Sequence, residues 1–186
     1  MLTADRFLVS KSVNPGTWLG FHSTTVSATT VAKASTEAGF AQVVAEWGQT
    51  VEPNPYMTFG ATWEPFIIEE AKHRFGVMPC DWIVRSAESP LYTASPDGLT
   101  LDLREGGEAK TGGKPWKSPP VVYRRQCQWQ MFVCDLERVH LGLLLRGEDF
   151  QPAVLEPDWF VVERDEKEIQ KLRAVADRLI EELELA

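Results

Sequence analysis

The stretch from Ser95 to Lys110 leaves this chain few ways to fold. It opens on the turn-forming cluster Ser95-Pro96-Asp97-Gly98 and closes on Gly107-Glu108-Ala109-Lys110. Between them Leu99-Thr100-Leu101-Asp102-Leu103 alternates apolar and polar residues, the pattern of a half-buried strand. Gly106-Gly107 suits a turn or bulge before a second strand. Residues i and i+2 of a strand share a face, so Glu108 and Lys110 are expected to project together. Asp97, at the end of the neighbouring strand, is placed to reach them. Two carboxylates and an ammonium on one face suit a hard divalent cation and a phosphate. A plain alternative stands beside this: Glu-x-Lys also occurs on solvent faces of strands, and Pro-Asp-Gly is an ordinary turn. Those three residues alone leave both readings open.

Charge narrows the partners. The chain has 186 residues and a formal net charge of −8, which argues against a protein that coats nucleic acid non-specifically. From Arg104 to Arg125, however, six basic residues (Arg104, Lys110, Lys114, Lys117, Arg124, Arg125) face two acidic ones, Glu105 and Glu108. This local basic track suits a phosphate backbone, or is simply a solvated loop. Trp116 within it reads as a core residue rather than a base-stacking one. The three cysteines, Cys80, Cys127 and Cys134, lack metal spacing and read as reduced thiols of a cytoplasmic protein. An iron–sulfur cluster would need four thiolates. His73 and His140 have no second ligand at metal spacing and read as surface or packing residues. There is no Gly-x-Ser-x-Gly elbow, and Gly112-Gly113-Lys114 lacks the spacing of a nucleotide-phosphate loop.

The length suits a single domain spanning 1–186, with an α/β order of elements and a mixed central β-sheet flanked by helices. Helices are expected at Val26–Ala34, Thr36–Trp47, Thr58–Phe75, Val121–Asp135 and Asp165–Leu185. Strands are expected at Cys80–Arg85, Leu91–Ser95, Leu99–Leu103, Gly107–Thr111 and Arg138–Leu145, with an edge strand or loop over 153–162. Ile169, Leu172, Ala176, Leu179 and Leu183 form an apolar stripe on the last helix that is expected to dock on the chain's own body. A homo-oligomer contact is the alternative.

Four blocks in order carry a resemblance. They are Trp18-Leu19-Gly20-Phe21-His22-Ser23-Thr24-Thr25-Val26-Ser27-Ala28; Met57-Thr58-Phe59-Gly60-Ala61-Thr62-Trp63-Glu64-Pro65; Ser95-Pro96-Asp97-Gly98 with Glu108-Ala109-Lys110; and Tyr123-Arg124-Arg125-Gln126-Cys127-Gln128-Trp129-Gln130-Met131. Together, over about 18–145, they resemble the YqaJ-type viral recombinase and phage lambda exonuclease family of the PD-(D/E)xK nucleases. The resemblance implies a restriction-endonuclease-like core and a Mg2+-dependent DNA exonuclease, with Mn2+ as substitute. The implied reaction is 5′-to-3′ on linear duplex DNA, serving phage-type recombination in a bacterial cytoplasm. A single-strand annealing protein is the implied partner. Asp97 and Glu108 would bind metal, Glu64 would touch it directly or through water, Lys110 would act on the nucleophile, and Gln126 would sit over the site with Tyr123 one turn away. Lys114, Lys117, Arg124, Arg125 and Ser27 are candidate DNA contacts. His22 stands where the family usually has an arginine that grips a terminal 5′ phosphate; histidine is shorter and largely neutral at pH 7. A restriction-like endonuclease, or a non-catalytic DNA-binding module on the same fold, are the alternatives. Gln126 and Gln130, four residues apart, are the natural pair to share a helix face.

Overall fold

A computed structural model describes residues 2–21, 23–49 and 51–185. Its central feature is a five-stranded sheet of β2 (Val77–Pro79), β5 (Gly98–Thr100), β6 (Glu105–Gly112), β7 (Arg138–Leu145) and β8 (Asp158–Glu163), in that spatial order. β6 and β7 are parallel, and every other pair is antiparallel. The parallel pair needs a crossover, which helix α5 (Val121–Cys134) supplies. A second sheet joins β1 (Phe7–Ser10), β3 (Trp82–Arg85) and β4 (Thr93–Ala94).

β7 reads as a near-continuous apolar run because both of its faces are covered. Val139, Leu141, Leu143 and Leu144 are fully buried. Helix α4 (Pro55–Phe75) lays Ile67, Ile68 and Ala71 toward the sheet. Gly142 permits this approach: a Cβ there would come within 2.7 Å of Ile67 and 2.8 Å of the Trp159 ring.

Local chemistry explains where α4 begins and ends. Asn54 accepts hydrogen bonds from the backbone N–H of Tyr56 and Met57, a cap worth about 1 kcal/mol. Pro55 fills the first turn, where its missing N–H costs nothing. The helix therefore starts three residues before the expected Thr58. Gly76, at φ 73°, closes it in the left-handed conformation that glycine adopts without strain. Pro65 lies inside the helix.

The other helices are α1 (Pro15–Phe21), α2 (Ala28–Lys33), α3 (Glu37–Glu46) and α6 (Glu166–Glu182). α6 docks its expected stripe: Ile169, Leu172, Ala176 and Leu179 are buried in the main core, with Leu183 packed at its edge. Trp116 packs beside Tyr123 and Phe160. Cys127 and Cys134 are buried and all three cysteines are free thiols.

Two strands fall short of expectation, and within 91–95 only Thr93–Ala94 is strand. The segment 99–103 is strand only as far as Thr100; Leu101 is 86% exposed and Leu103 sits at φ 58°. The Asp102 carboxylate accepts from the Thr100 hydroxyl at 2.6 Å and from the Arg104 N–H at 3.2 Å, which ties a tight turn. β1, α1 and β2 had no periodic signal, being short. Among the described residues no helix is long and apolar enough to cross a membrane.

Candidate active site

Asp97, Glu108, Lys110, Gln126 and Glu64 line one cleft between α4, the mouth of β5, β6 and α5. Asp97 is fixed at the start of β5, where its Oδ2 accepts the Ala109 N–H at 2.7 Å. That bond staples the turn to β6 and holds the Asp97 carboxylate beside the residue between Glu108 and Lys110. The expected alternation on β6 places Glu108 and Lys110 on one face, and the Lys110 ammonium donates to Glu108 Oε1.

Helix α5 completes the clamp. Gln126 Nε2 donates to Glu108 Oε1 at 2.6 Å, and Gln130 Nε2 donates to Glu108 Oε2 at 2.5 Å. The four-residue spacing aims both carboxamides at one carboxylate. Glu108 is 2% exposed, so these donors and Lys110 offset the loss of its hydration. Gln128 points away and serves the fold: its Nε2 donates to the Glu163 carbonyl and its Oε1 accepts from the Asp165 N–H. Tyr123, one turn before Gln126, carries its ring 5.3 Å from the Lys110 ammonium.

The cleft is overloaded with negative charge. Burial, then the neighbouring Glu108 and Glu64 carboxylates, push Asp97 well above the usual carboxylate range. Burial also raises Glu64, against the pull of Lys11, with Glu108 adding to the rise. For Lys110 burial acts downward, but Glu108 and Asp97 outweigh it and hold the ammonium above its ordinary pKa. Burial lifts the Cys80 thiol at the cleft wall to about 11, so it stays protonated. Carboxylate oxygens are the donors magnesium prefers, and a divalent cation would offset both the burial and the mutual repulsion that raise Asp97 and Glu64. The donor set therefore fits such an ion. Among the described residues no three acidic, histidine or cysteine side chains close on one point; Lys110, Gln126 and Gln130 hold both oxygens of Glu108.

The remaining candidates are more dispersed. Lys114, Lys117 and Arg124 are exposed on and beside the loop before α5. Arg125 is committed elsewhere, donating to Glu168 at 2.6 Å and to Ser35 at 2.9 Å. Arg104, at the far end of the basic track, pairs with Glu137. Ser27 caps α2, accepting the Thr30 N–H at 3.3 Å. His22 lies outside the described residues.

Two further residues take part, Lys11 and Gln130. Lys11, just after β1, lines the cleft with Glu64 and rests its ammonium 5.1 Å from the Trp18 ring centroid. Nothing in the sequence before Trp18 signals it. Gln130 does have a signal, its spacing from Gln126.

No family model matches the chain, and no curated protein does. Solved structures do. An alkaline exonuclease from Laribacter hongkongensis, LHK-Exo, superposes with a TM-score of 0.73 at 24% identity, covering 90% of this chain and 92% of that one. LHK-Exo in complex with dAMP gives 0.68 at 21%, covering 89% and 90%. A phage-related exonuclease from Haemophilus somnus 129PT gives 0.68 at 14%, covering 86% and 93%. The restriction-endonuclease-like fold expected from the sequence blocks is thus the fold found, and the three structures named above are exonucleases.

Proposed function

We propose that this chain is a metal-dependent deoxyribonuclease that degrades linear duplex DNA from its ends, 5′ to 3′, in phage-type recombination. The observation that carries the reading is the convergence of Asp97, Glu64, Glu108, Lys110 and Gln126, from four separate elements, on one cleft. The exonuclease fold of the solved neighbours supports the same reading.

Asp97, Glu108 and Glu64 would hold one or two Mg2+ ions, which when bound polarise a phosphodiester and lower the pKa of a bound water. The chain's own groups do the rest. Gln126 and Gln130 fix the Glu108 carboxylate, so its position is set before substrate arrives. Lys110 keeps its proton because two carboxylates face it, and presents a fixed positive charge where a nucleophilic water and a scissile phosphate oxygen would meet. Lys114, Lys117 and Arg124 provide an exposed basic approach for the backbone. DNA is the partner, and a single-strand annealing protein would take the strand that is left.

The test uses linear duplex labelled at either the 5′ or the 3′ terminus. With Mg2+ or Mn2+, label should be released as mononucleotide first from the 5′ end. Chelation with EDTA should stop release. Release in EDTA would remove the metal from the account, and earlier release of 3′ label would reverse the polarity.

A further inference from the structure

A second cavity, of about 490 Å³, opens from the catalytic cleft and shares Glu64, Ala109 and Lys110 with it. Its far wall carries Tyr56 and Thr111. Tyr56, in the first turn of α4, is 61% exposed. It is not alone there. The Arg146 guanidinium lies 4.7 Å from the Tyr56 ring centroid and 4.5 Å from that of Phe150, and the two rings are 5.5 Å apart.

The chain holds this trio in place. Arg146 follows β7 directly, and its N–H donates to the Gly112 carbonyl at 2.8 Å, two residues beyond Lys110. Gly113 leaves room for the guanidinium: a Cβ there would stand 3.2 Å from its Nη2. Phe150 sits at φ 57°, costly for an aromatic residue, in a loop closed by the Gly147 N–H to the Gln151 carbonyl at 2.7 Å. Most other arginines near the surface find carboxylates: Arg74, Arg104, Arg125, Arg173 and Arg178 all do. Among the described residues Arg146 forms no such ion pair; its side-chain hydrogen bond goes to the Gly147 carbonyl. A half-buried cation braced by two rings, without an anion, thus packs on the Tyr56 ring that lines this second cavity.

We infer that Tyr56, Arg146 and Phe150 form a nucleotide subsite for a single strand, one step removed from the catalytic carboxylates. The Arg146 guanidinium takes a backbone phosphate, and the exposed face of Tyr56 stacks a base. Phe150 braces the guanidinium from the second ring. The subsite is sequence-tolerant, since every base has a face to stack. This inference rests on the proposed nuclease function, because it supplies the strand that would lie there.

Binding tests it without turnover. A short phosphorothioate-linked single strand with a fluorescent label is titrated with protein, calcium being the only divalent ion, and anisotropy is followed over a range of salt. Tyr56→Ala and Arg146→Ala should each weaken binding about tenfold. Arg146→Ala should also flatten the log–log salt slope by about 0.7, one single-strand phosphate contact, while Tyr56→Ala leaves the slope alone. Arg146→Lys should keep the slope and lose affinity, because an ammonium lacks the planar stack. The thermal midpoint of Tyr56→Ala should match wild type, given its exposure. Wild-type affinity and slope in both alanine variants, or losses that merely follow lower thermal midpoints, would overturn the subsite. A wild-type protein that hydrolyses DNA while both variants bind normally defeats the subsite alone. A wild-type protein that neither binds nor cleaves DNA defeats the nuclease reading and the subsite with it.

Discussion

Glu108→Gln and Lys110→Ala should each lower the single-turnover rate of phosphodiester hydrolysis by about 10³–10⁴-fold while the protein stays folded. Glu108 is the hub of the cleft: Lys110, Gln126 and Gln130 all donate to it. In Glu108→Gln the new carboxamide would turn a donor toward donors and remove the charge that steadies Lys110. Lys110→Ala removes the ammonium itself. Gln126→Ala and Glu64→Ala should fall less far, by about 10–100-fold, because each supports the carboxylate cluster from a neighbouring helix. Circular dichroism checks the fold, and a rapid-quench time course with enzyme in excess reads the rate. Glu108→Gln within tenfold of wild type would remove this residue from the chemistry.

The largest effect on stability is expected from Trp129→Ala, about 3–5 kcal/mol. Trp129 is fully buried on α5 and packs against Tyr92 at 5.2 Å and Phe132 at 5.3 Å between ring centroids. Its indole N–H donates to the Thr93 carbonyl at 3.0 Å. Truncation opens a cavity and strands that carbonyl without its donor. The residue lies between Gln126 and Gln130 along the helix, so the same packing that stabilises the fold also seats the glutamines on Glu108. Trp129→Phe keeps most of the volume and should cost about 1–2 kcal/mol, largely the lost hydrogen bond. Urea unfolding reads both. A loss under about 1 kcal/mol for Trp129→Ala would mean that α5 is held by other contacts.

The site was more legible in the sequence than parts of the fold around it. Period-two alternation over Glu108 and Lys110 sufficed to put both on one face, and four-residue spacing sufficed to pair Gln126 with Gln130. Both inferences use only local geometry. The same alternation misled at Leu101 and Leu103, because a polar–apolar pattern cannot distinguish a strand from a turn that Asp102 ties with its side chain. β2 escaped notice because three residues are too few for a period to show. Lys11 joins the cleft through tertiary folding of β1 and α1 against it, and nothing local to its position records that. The basic track from Arg104 to Arg125 is a charge count along the chain. In space its ends are engaged by Glu137 and Glu168, and the exposed charge is concentrated at Lys114, Lys117 and Arg124.

An exonuclease cleft must remove nucleotides from DNA ends and needs an end to begin. Linear duplex and a covalently closed circle of the same sequence are incubated with the wild-type protein and Mg2+, and acid-soluble nucleotide is measured over time. The linear form should be degraded and the circle should survive. Circles opened as fast as linear DNA is consumed would make the protein an endonuclease, and no release from either would contradict catalysis at the Asp97–Glu108–Lys110 cleft.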